Sequence, residues 1–341
     1  ANTKANTKAN TKANTKANTK AKTKAKTKAK KTLPRDGDFT WEPKDGIMAY
    51  ADMNTRTYLA DRDKAIASYD GYLYSEKKDG WHCIWDGKGK LWTKSGKRTF
   101  GAPQWFIRKF AFAHGVAIAG ELVVVGKQAT ETAKLLKRTG PWKSATFHAF
   151  DLPGKGARKM SYVDRAAHLK NLFPLIGKTG TDAVGPRFAY ADEERQVQMI
   201  PVDRINRDES KQFHRVWNQI TRCEGAWSTT SGPCLGEGVV ITKSDSLYAP
   251  RRVGKKVRIK LKRRADAEAE VVGYNANSLT VEDIKSKVNF VIGIGFTTVQ
   301  RRNLRTAFPL GTIVKYSYRS LHPGGKPKEV RMVGIRDKAD I

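Results

Sequence analysis

The sequence predicts an α+β protein: antiparallel sheets with flanking helices, then a small all-β barrel, behind a disordered N-terminal tail. Three observations predict it. Residues 1–32 are a Lys-rich repeat with no large apolar side chain. Between residues 33 and 264, aromatic and β-branched runs bounded by Gly and Asp alternate with a few helical stretches. From residue 265 the composition shifts to short strands, many turns and strong positive charge. The organisation read from these shifts is a tail over 1–32, a first domain over 33–264 and a second over 265–341.

A chain of 341 residues holds one or two folded domains, and a hydrophobic content of 39% is enough for ordinary cores. No run approaches the ~18 consecutive apolar residues of a membrane span, and no secretory apolar segment is visible. Cys83, Cys223 and Cys234 make no C-x-x-C pair, which argues against a zinc site and a disulfide framework. The net charge is +32; residues 1–32 hold 11 lysines and no acidic residue, and the remaining +21 belongs to the rest. Tail and body both therefore call for a polyanionic partner, with nucleic acid first. The tail opens with five copies of Ala-Asn-Thr-Lys and continues with two of Ala-Lys-Thr-Lys. Nothing in it can repay the entropy of ordering. Each lysine that meets a phosphate releases counterions, which gives salt-sensitive, sequence-independent affinity.

The elements follow in order. Leu33 to Asp38 is a linker, and a helix is expected over Leu59 to Tyr69. Tyr72-Leu73-Tyr74 reads as a strand. Ser75-Glu76-Lys77-Lys78-Asp79-Gly80 follows and ends in turn chemistry. Trp81 to Trp85 is the next strand, so the hexamer reads as the end of a hairpin. An amine attacks only when deprotonated, and a lysine at such an edge can have its pKa lowered by a desolvating pocket. Leu91 to Thr93 is a strand before a turn at Lys94. Ile107 to His114 reads as amphipathic, Val116 to Val125 as a strand pair around Glu121, and Thr130 to Arg138 as a helix. Ala145 to Leu152 is a strand carrying Phe147 and Phe150. Tyr162 to Phe173 reads as a helix with Arg165, His168 and Lys170 outward, and Glu209 to Ile220 as another. Leu235 to Ile241 repeats the design of an acidic residue, Glu237, in an apolar strand. Val257 to Lys262 puts Lys260 and Lys262 on one face, since i and i+2 share a face.

Lysine, two strand glutamates and a lysine pair, in that order, resemble the nucleotidyl transferase motifs of ATP-dependent DNA ligases and their mRNA-capping relatives. Ala102-Pro103-Gln104-Trp105-Phe106 resembles the A-P-x-W-F segment of minimal viral and bacterial ligases, and Phe147 to Asp151 their F-x-x-F-D segment. Gly293 to Arg301 and Gly311 to Tyr316 resemble two segments of ligase OB domains. The resemblance covers roughly residues 40 to 341. It implies an ATP-grasp-like adenylyltransferase domain followed by an OB fold, and three phosphoryl transfers that seal a nick through a lysyl-AMP intermediate. Lys77 is then the nucleophile, with Asp79 beside it at the reactive 3′ end. Lys260 and Lys262 offset phosphate charge. Glu121 and Glu237 hold Mg²⁺, as hard carboxylate oxygens do, and both also border the nucleotide, with the ribose as the second candidate ligand of Glu121. Ser75, Glu76, His82 and Lys94 border the nucleotide, and Phe147 or Phe150 stacks on adenine. ATP, Mg²⁺ and nicked duplex DNA are the implied partners of a monomer, in an unspecified DNA-containing compartment. Three positions depart from the family: His82, Lys94 and Thr242 stand where arginine is usual, and Lys243, Arg251, Arg252 or His82 itself are candidates to compensate. The alternatives are an RNA ligase or capping guanylyltransferase with the same lysine chemistry, or a non-catalytic DNA-packaging protein with a ligase-like fold.

Overall fold

The computed structural model describes residues 39–53, 55–124, 132, 136, 142–173, 196–221, 237–322 and 324–336. The tail, the linker, most of the helix expected over 130–138, Cys223, Cys234 and the last five residues lie outside them. In chain order the strands are β1 (Ala51–Asp52), β2 (Leu73–Lys77), β3 (Trp81–Trp85), β4 (Leu91–Thr93) and β5 (Ile118–Val124). β6 (Ala145–Asp151), β7 (Val197–Met199), β8 (Val202–Arg204), β9 (Gly238–Thr242) and β10 (Arg258–Lys262) follow. β11 (Ala265–Asn275), β12 (Ser278–Asp283), β13 (Asn289–Ile292), β14 (Ile313–Tyr318) and β15 (Arg331–Ile335) complete the series.

They form three sheets, ordered β1-β10-β9-β2-β8, β4-β3-β5-β6-β7 and β13-β12-β11-β14-β15. The third is antiparallel throughout. The first two are mixed, because the edge pairs β1–β10 and β6–β7 run parallel. β3 to β7 all fall in sequence between β2 and β8, so the second sheet is nested inside the first. One expectation changes as a result. β2 and β3 do not pair as a hairpin, and Lys78-Asp79-Gly80 is the link by which the chain leaves one sheet for the other. Gly80 is needed there, since a Cβ would lie 2.3 Å from the Leu122 carbonyl oxygen.

Periodicity explains the packing. Helix Ser210–Thr221 buries Phe213, Val216, Trp217 and Ile220, an i, i+3, i+4, i+7 stripe. That stripe meets Tyr74, Val239, Ile241, Ile259 and Leu261 on one face of the first sheet. Each such side chain contributes about 1.5–3 kcal/mol by burial. The opposite face carries Ser75, Lys77, Lys260 and Lys262, and is free for chemistry. The second sheet packs Phe147, Phe106, Phe110 and Trp142 into its own core. The third closes on Val271, Val281, Phe290, Val314 and Tyr316, and the Tyr316 hydroxyl donates to Asp283 Oδ2 at 2.6 Å. The Gln300-Arg301 pair of the sequence motif is part of this framework. Gln300 completes a capping box with Thr297, and Arg301 Nη1 donates to the carbonyls of Asn277 and Gly293, both at 3.1 Å.

Three local expectations are corrected. The helix expected over 59–69 is two, Thr55–Ala60 and Arg62–Ala67, because Asp61 takes an extended conformation and caps the second by accepting from Lys64 N at 3.0 Å. The pair expected around Glu121 is one strand, β5. In helix Tyr162–Leu172, Arg165 does not face outward: it is fully buried, drawn in by Asp151, whose Oδ1 accepts from Arg165 Nε at 2.7 Å.

Candidate active site

Lys77 is the last residue of β2, and its position is set by strand register. It sits opposite Gly238 of β9, which in turn sits opposite Lys262 of β10. A Cβ at Gly238 would lie 2.0 Å from the Leu261 carbonyl oxygen, so the close approach of β9 and β10 requires glycine. Glu237 precedes β9. Its N–H donates to the Lys77 carbonyl at 2.9 Å, and its own carbonyl accepts from Arg263 N at 3.0 Å. That fixes its carboxylate, which pairs with the Lys77 ammonium and lies 3.6 Å from Lys262 Nζ. Arg319, just past β14, pairs with both Asp79 and Glu237. Glu329 adds a further carboxylate, 3.3 Å from Lys262 and 3.1 Å from Arg319.

The second sheet supplies the facing wall. Glu121 lies mid-strand in β5, opposite His82 of β3, with His82 Nδ1 3.9 Å from its Oε2. Burial, with Glu237 and Asp79 nearby, pushes Glu121 up to about 7, against the opposing pull of Lys77. Burial and the cations Lys94, Lys77 and Arg258 push His82 down to about 3, so it is neutral near pH 7. Burial also pulls on Lys77, but Glu237, Glu121 and Tyr50 outweigh it and hold Lys77 above the ordinary lysine value. The expectation of a lowered lysine pKa is therefore corrected for the free protein. Lys77 rests as an ion-paired ammonium.

Beside Lys77 opens a cleft of about 360 Å³, partly continuous with solvent. Ser75, Glu76, Lys77 and Lys78 form one side, and Glu121, Phe150, Ile200, Val240, Tyr50, Tyr162 and Arg258 complete it. Glu76 is buried and pairs with Lys78 at 2.7 Å, leaving its Oε1 without a hydrogen bond among the described residues. Of the two candidate rings, Phe150 lines the cleft. Phe147 is fully buried under β5, edge-on to Phe110, in space that Gly120 leaves open. Lys260 is turned to Asp52 at 3.2 Å and does not reach Glu237. Lys94 is exposed, in the turn after β4. Among the proposed compensators, Lys243 pairs with Asp245 and Arg252 with Asp52, both on the surface.

The arginine that lines the cleft beside Lys77 and Lys78 is Arg258, which the sequence reading did not single out. A signal was available: Arg258 stands two and four residues before Lys260 and Lys262, on the same strand face. Its Nε donates to Thr242 Oγ1 at 2.9 Å and its Nη2 to Asp151 Oδ2 at 2.7 Å. Arg319 was also missed, since it is separated by 240 positions from its partner Asp79.

A family model described as a DNA ligase OB-like domain matches residues 273–336. A curated DNA ligase of Haemophilus influenzae is 24% identical over 268 residues, 76% of this chain and 84% of that protein. The solved structure described as "DNA binding with a minimal scaffold: Structure-function analysis of Lig E DNA ligases" superposes with a TM-score of 0.60 at 24% identity, covering 85% of this chain and 99% of that one. The chain has the DNA ligase fold. Its first two sheets are the nucleotidyltransferase part of that fold and the third is its OB domain. A second solved structure, described as "Pmar-Lig_Pre", superposes with a TM-score of 0.59 at 16% identity, covering 88% of this chain and 68% of that one. Within the ligase fold, Lys77 lies between the two nucleotidyltransferase sheets, and Arg319 brings the OB domain to the same point.

Proposed function

We propose that the chain is an ATP-dependent DNA ligase that seals 5′-phosphate/3′-hydroxyl nicks in duplex DNA. The observation that carries this reading is convergence. Lys77, Asp79, Glu237 and Lys262 meet Glu121 of the other sheet at the mouth of the cleft that Phe150, Val240 and Arg258 line. The Lys77 amine attacks the α-phosphate of ATP; the N–P bond forms as the bond to pyrophosphate breaks. AMP then passes from Lys77 to the 5′-phosphate of the nick, and the 3′-hydroxyl displaces it. Phe150 offers the base a ring face, and Lys262 offsets phosphate charge. Lys77 must first lose a proton, which its pairing with Glu237 opposes; drawing Glu237 away toward another cation removes that hold.

The donor set fits Mg²⁺. No group of three or more His, Cys, Asp or Glu forms a metal cage among the described residues. Mg²⁺ is usually held by one or two carboxylates together with substrate phosphates. Glu121 and Glu237 supply hard oxygens whose mutual repulsion helps to raise Glu121. When bound, Mg²⁺ would neutralise charge on the transferred phosphate. The enzyme would work as a monomer in a DNA-containing compartment. The OB-like match and the DNA ligase relative favour this reading over capping or packaging.

The test is covalent labelling. With α-labelled ATP and Mg²⁺ the protein should carry AMP through a denaturing gel, and Lys77→Ala should not. Labelling by GTP alone would move the assignment to capping chemistry. No labelling, after pyrophosphate has stripped any bound AMP, would leave only a binding protein.

Two more outcomes are expected. Arg319→Ala should lower nick sealing about tenfold or more, since truncating one partner of a buried charge pair costs about 2–5 kcal/mol. Lys77 labelling should fall less, because Arg319 does not line the cleft and reaches Lys77 only through Glu237. Equal loss of both would place Arg319 in the first step. Deleting residues 1–32, with their 11 lysines, should flatten the dependence of log K for DNA on log salt. Equal slopes would mean that the tail does not meet DNA.

A further inference from the structure

We propose that Arg258 reads the base of the nucleotide, donating a hydrogen bond from its guanidinium to a ring nitrogen of the purine at the end of the cleft away from Lys77. This rests on the ATP reading above and adds a specificity-determining residue to it.

Position comes first. Across the first sheet, Lys77 shares a row with Gly238 and Lys262, whereas Arg258 shares a row with Thr242 and Leu73. At about 3.3 Å per residue, those rows lie about 13 Å apart along the strand. A nucleotide whose α-phosphate meets Lys77 therefore presents its base, not its phosphates, toward Arg258. The ring of Phe150 and the side chain of Val240 line the same cleft.

Charge and donor count agree. Two buried guanidiniums, Arg165 and Arg258, share the single carboxylate of Asp151. Arg165 is spent on structure: Nε and Nη2 go to Asp151, and Nη1 goes to the carbonyls of Met160 and Ser246. Arg258 has five N–H donors. One goes to Thr242 and one to Asp151, and the Tyr162 hydroxyl lies against the group as a third acceptor. Among the described residues at least two of its donors have no acceptor, on a residue that lines the cleft. The group is held in place between two rings, with Tyr162 at 4.9 Å and Tyr50 at 5.6 Å from the guanidinium carbon. A fixed cation that only donates selects an acceptor, and N1, N3 and N7 are the ring acceptors of adenine.

The experiment is a chemical double-mutant cycle on the full chain, reading covalent labelling of Lys77. ATP is compared with 1-deaza-, 3-deaza- and 7-deaza-ATP on the wild type, Arg258→Met and Arg258→Lys. One analogue is expected to show KM raised about ten- to a hundredfold on the wild type, the range for a hydrogen bond from a charged donor. That penalty should disappear in Arg258→Met and shrink in Arg258→Lys, which keeps the charge but loses the fork. The same penalties in all three proteins, or no penalty on the wild type, would overturn the assignment and leave Arg258 as a counter-ion of Asp151. A wild type that ATP does not label at all would overturn the ATP reading, and this proposal with it. Should Arg258→Met fail to fold, the Lys variant against the wild type decides.

Discussion

Lys77→Arg is expected to abolish covalent labelling by ATP and to reduce sealing of a nicked duplex by on the order of 10⁴-fold or more. The substitution keeps a cation beside Glu237, so the ion pair that holds the end of β2 to the approach of β9 survives. It removes the nucleophile, because a guanidinium does not lose its proton in proteins. Loss of activity with an unchanged urea midpoint would place the effect in chemistry rather than folding. A nick already carrying AMP on its 5′-phosphate bypasses the lysine step, so it should be sealed by Lys77→Arg far better than an ordinary nick. If the variant failed equally on both substrates, Lys77 would be needed for DNA binding or the last step, not as the nucleophile.

Asp151→Ala is expected to cost the fold about 3–5 kcal/mol, the range for removing one partner of a buried ion pair. Asp151 is 1% exposed and lies between the guanidiniums of Arg165 and Arg258, so its loss leaves two buried cations without a counter-charge. That is a large fraction of the stability of a typical domain. The pH dependence has a definite sign. Burial raises the Asp151 pKa, but Arg165 and Arg258 outweigh it and the folded value lies below the ordinary 3.8. Its contribution is thus fully present above the unfolded value and is lost as pH falls through the lower folded one. Urea melts of wild type and variant between pH 7 and pH 3 should therefore converge toward the acid end. A constant gap would show that Asp151 stabilises by packing rather than by charge.

The order of the strand motifs was legible because alternation puts every second residue on one face. Lys77, Glu237 and Lys262 do meet, as the register of β2, β9 and β10 requires. What alternation cannot supply is the identity of the neighbouring sheet. Lys77 and Trp81 read as two ends of a hairpin, since Asp79-Gly80 favours a turn in either case. Only the pairing of β2 with β9 and of β3 with β5 shows that the chain crosses between sheets, with Gly80 packed on Leu122 at the crossing. Arg165 is an arginine on a helix, which by default faces water; its burial depends on Asp151, fourteen positions earlier on another element. Phe147 and Phe150 are three apart and so lie on opposite faces of β6. The sequence could not say which face met the core, and the space over Gly120 answers it. Lys260 shares a face with Lys262 but lies a row away, where Asp52 claims it.

The nesting of one sheet inside the other has a consequence for assembly. β2 leaves the growing chain early, yet its partners β8 and β9 begin at Val202 and Gly238. Until they arrive, the backbone of the nucleophile strand is an open edge, the kind of surface that seeks pairing with other chains. β3, β4, β5 and β6 have no such wait: their partners are close in sequence, so they should gain protection first. Pulsed hydrogen exchange during refolding should then record β5 and β6 protected before β2, and simultaneous protection would contradict this order. In that sequence of events the inserted sheet serves as the template, and Lys77 meets Glu237 only at the final closure of the outer one.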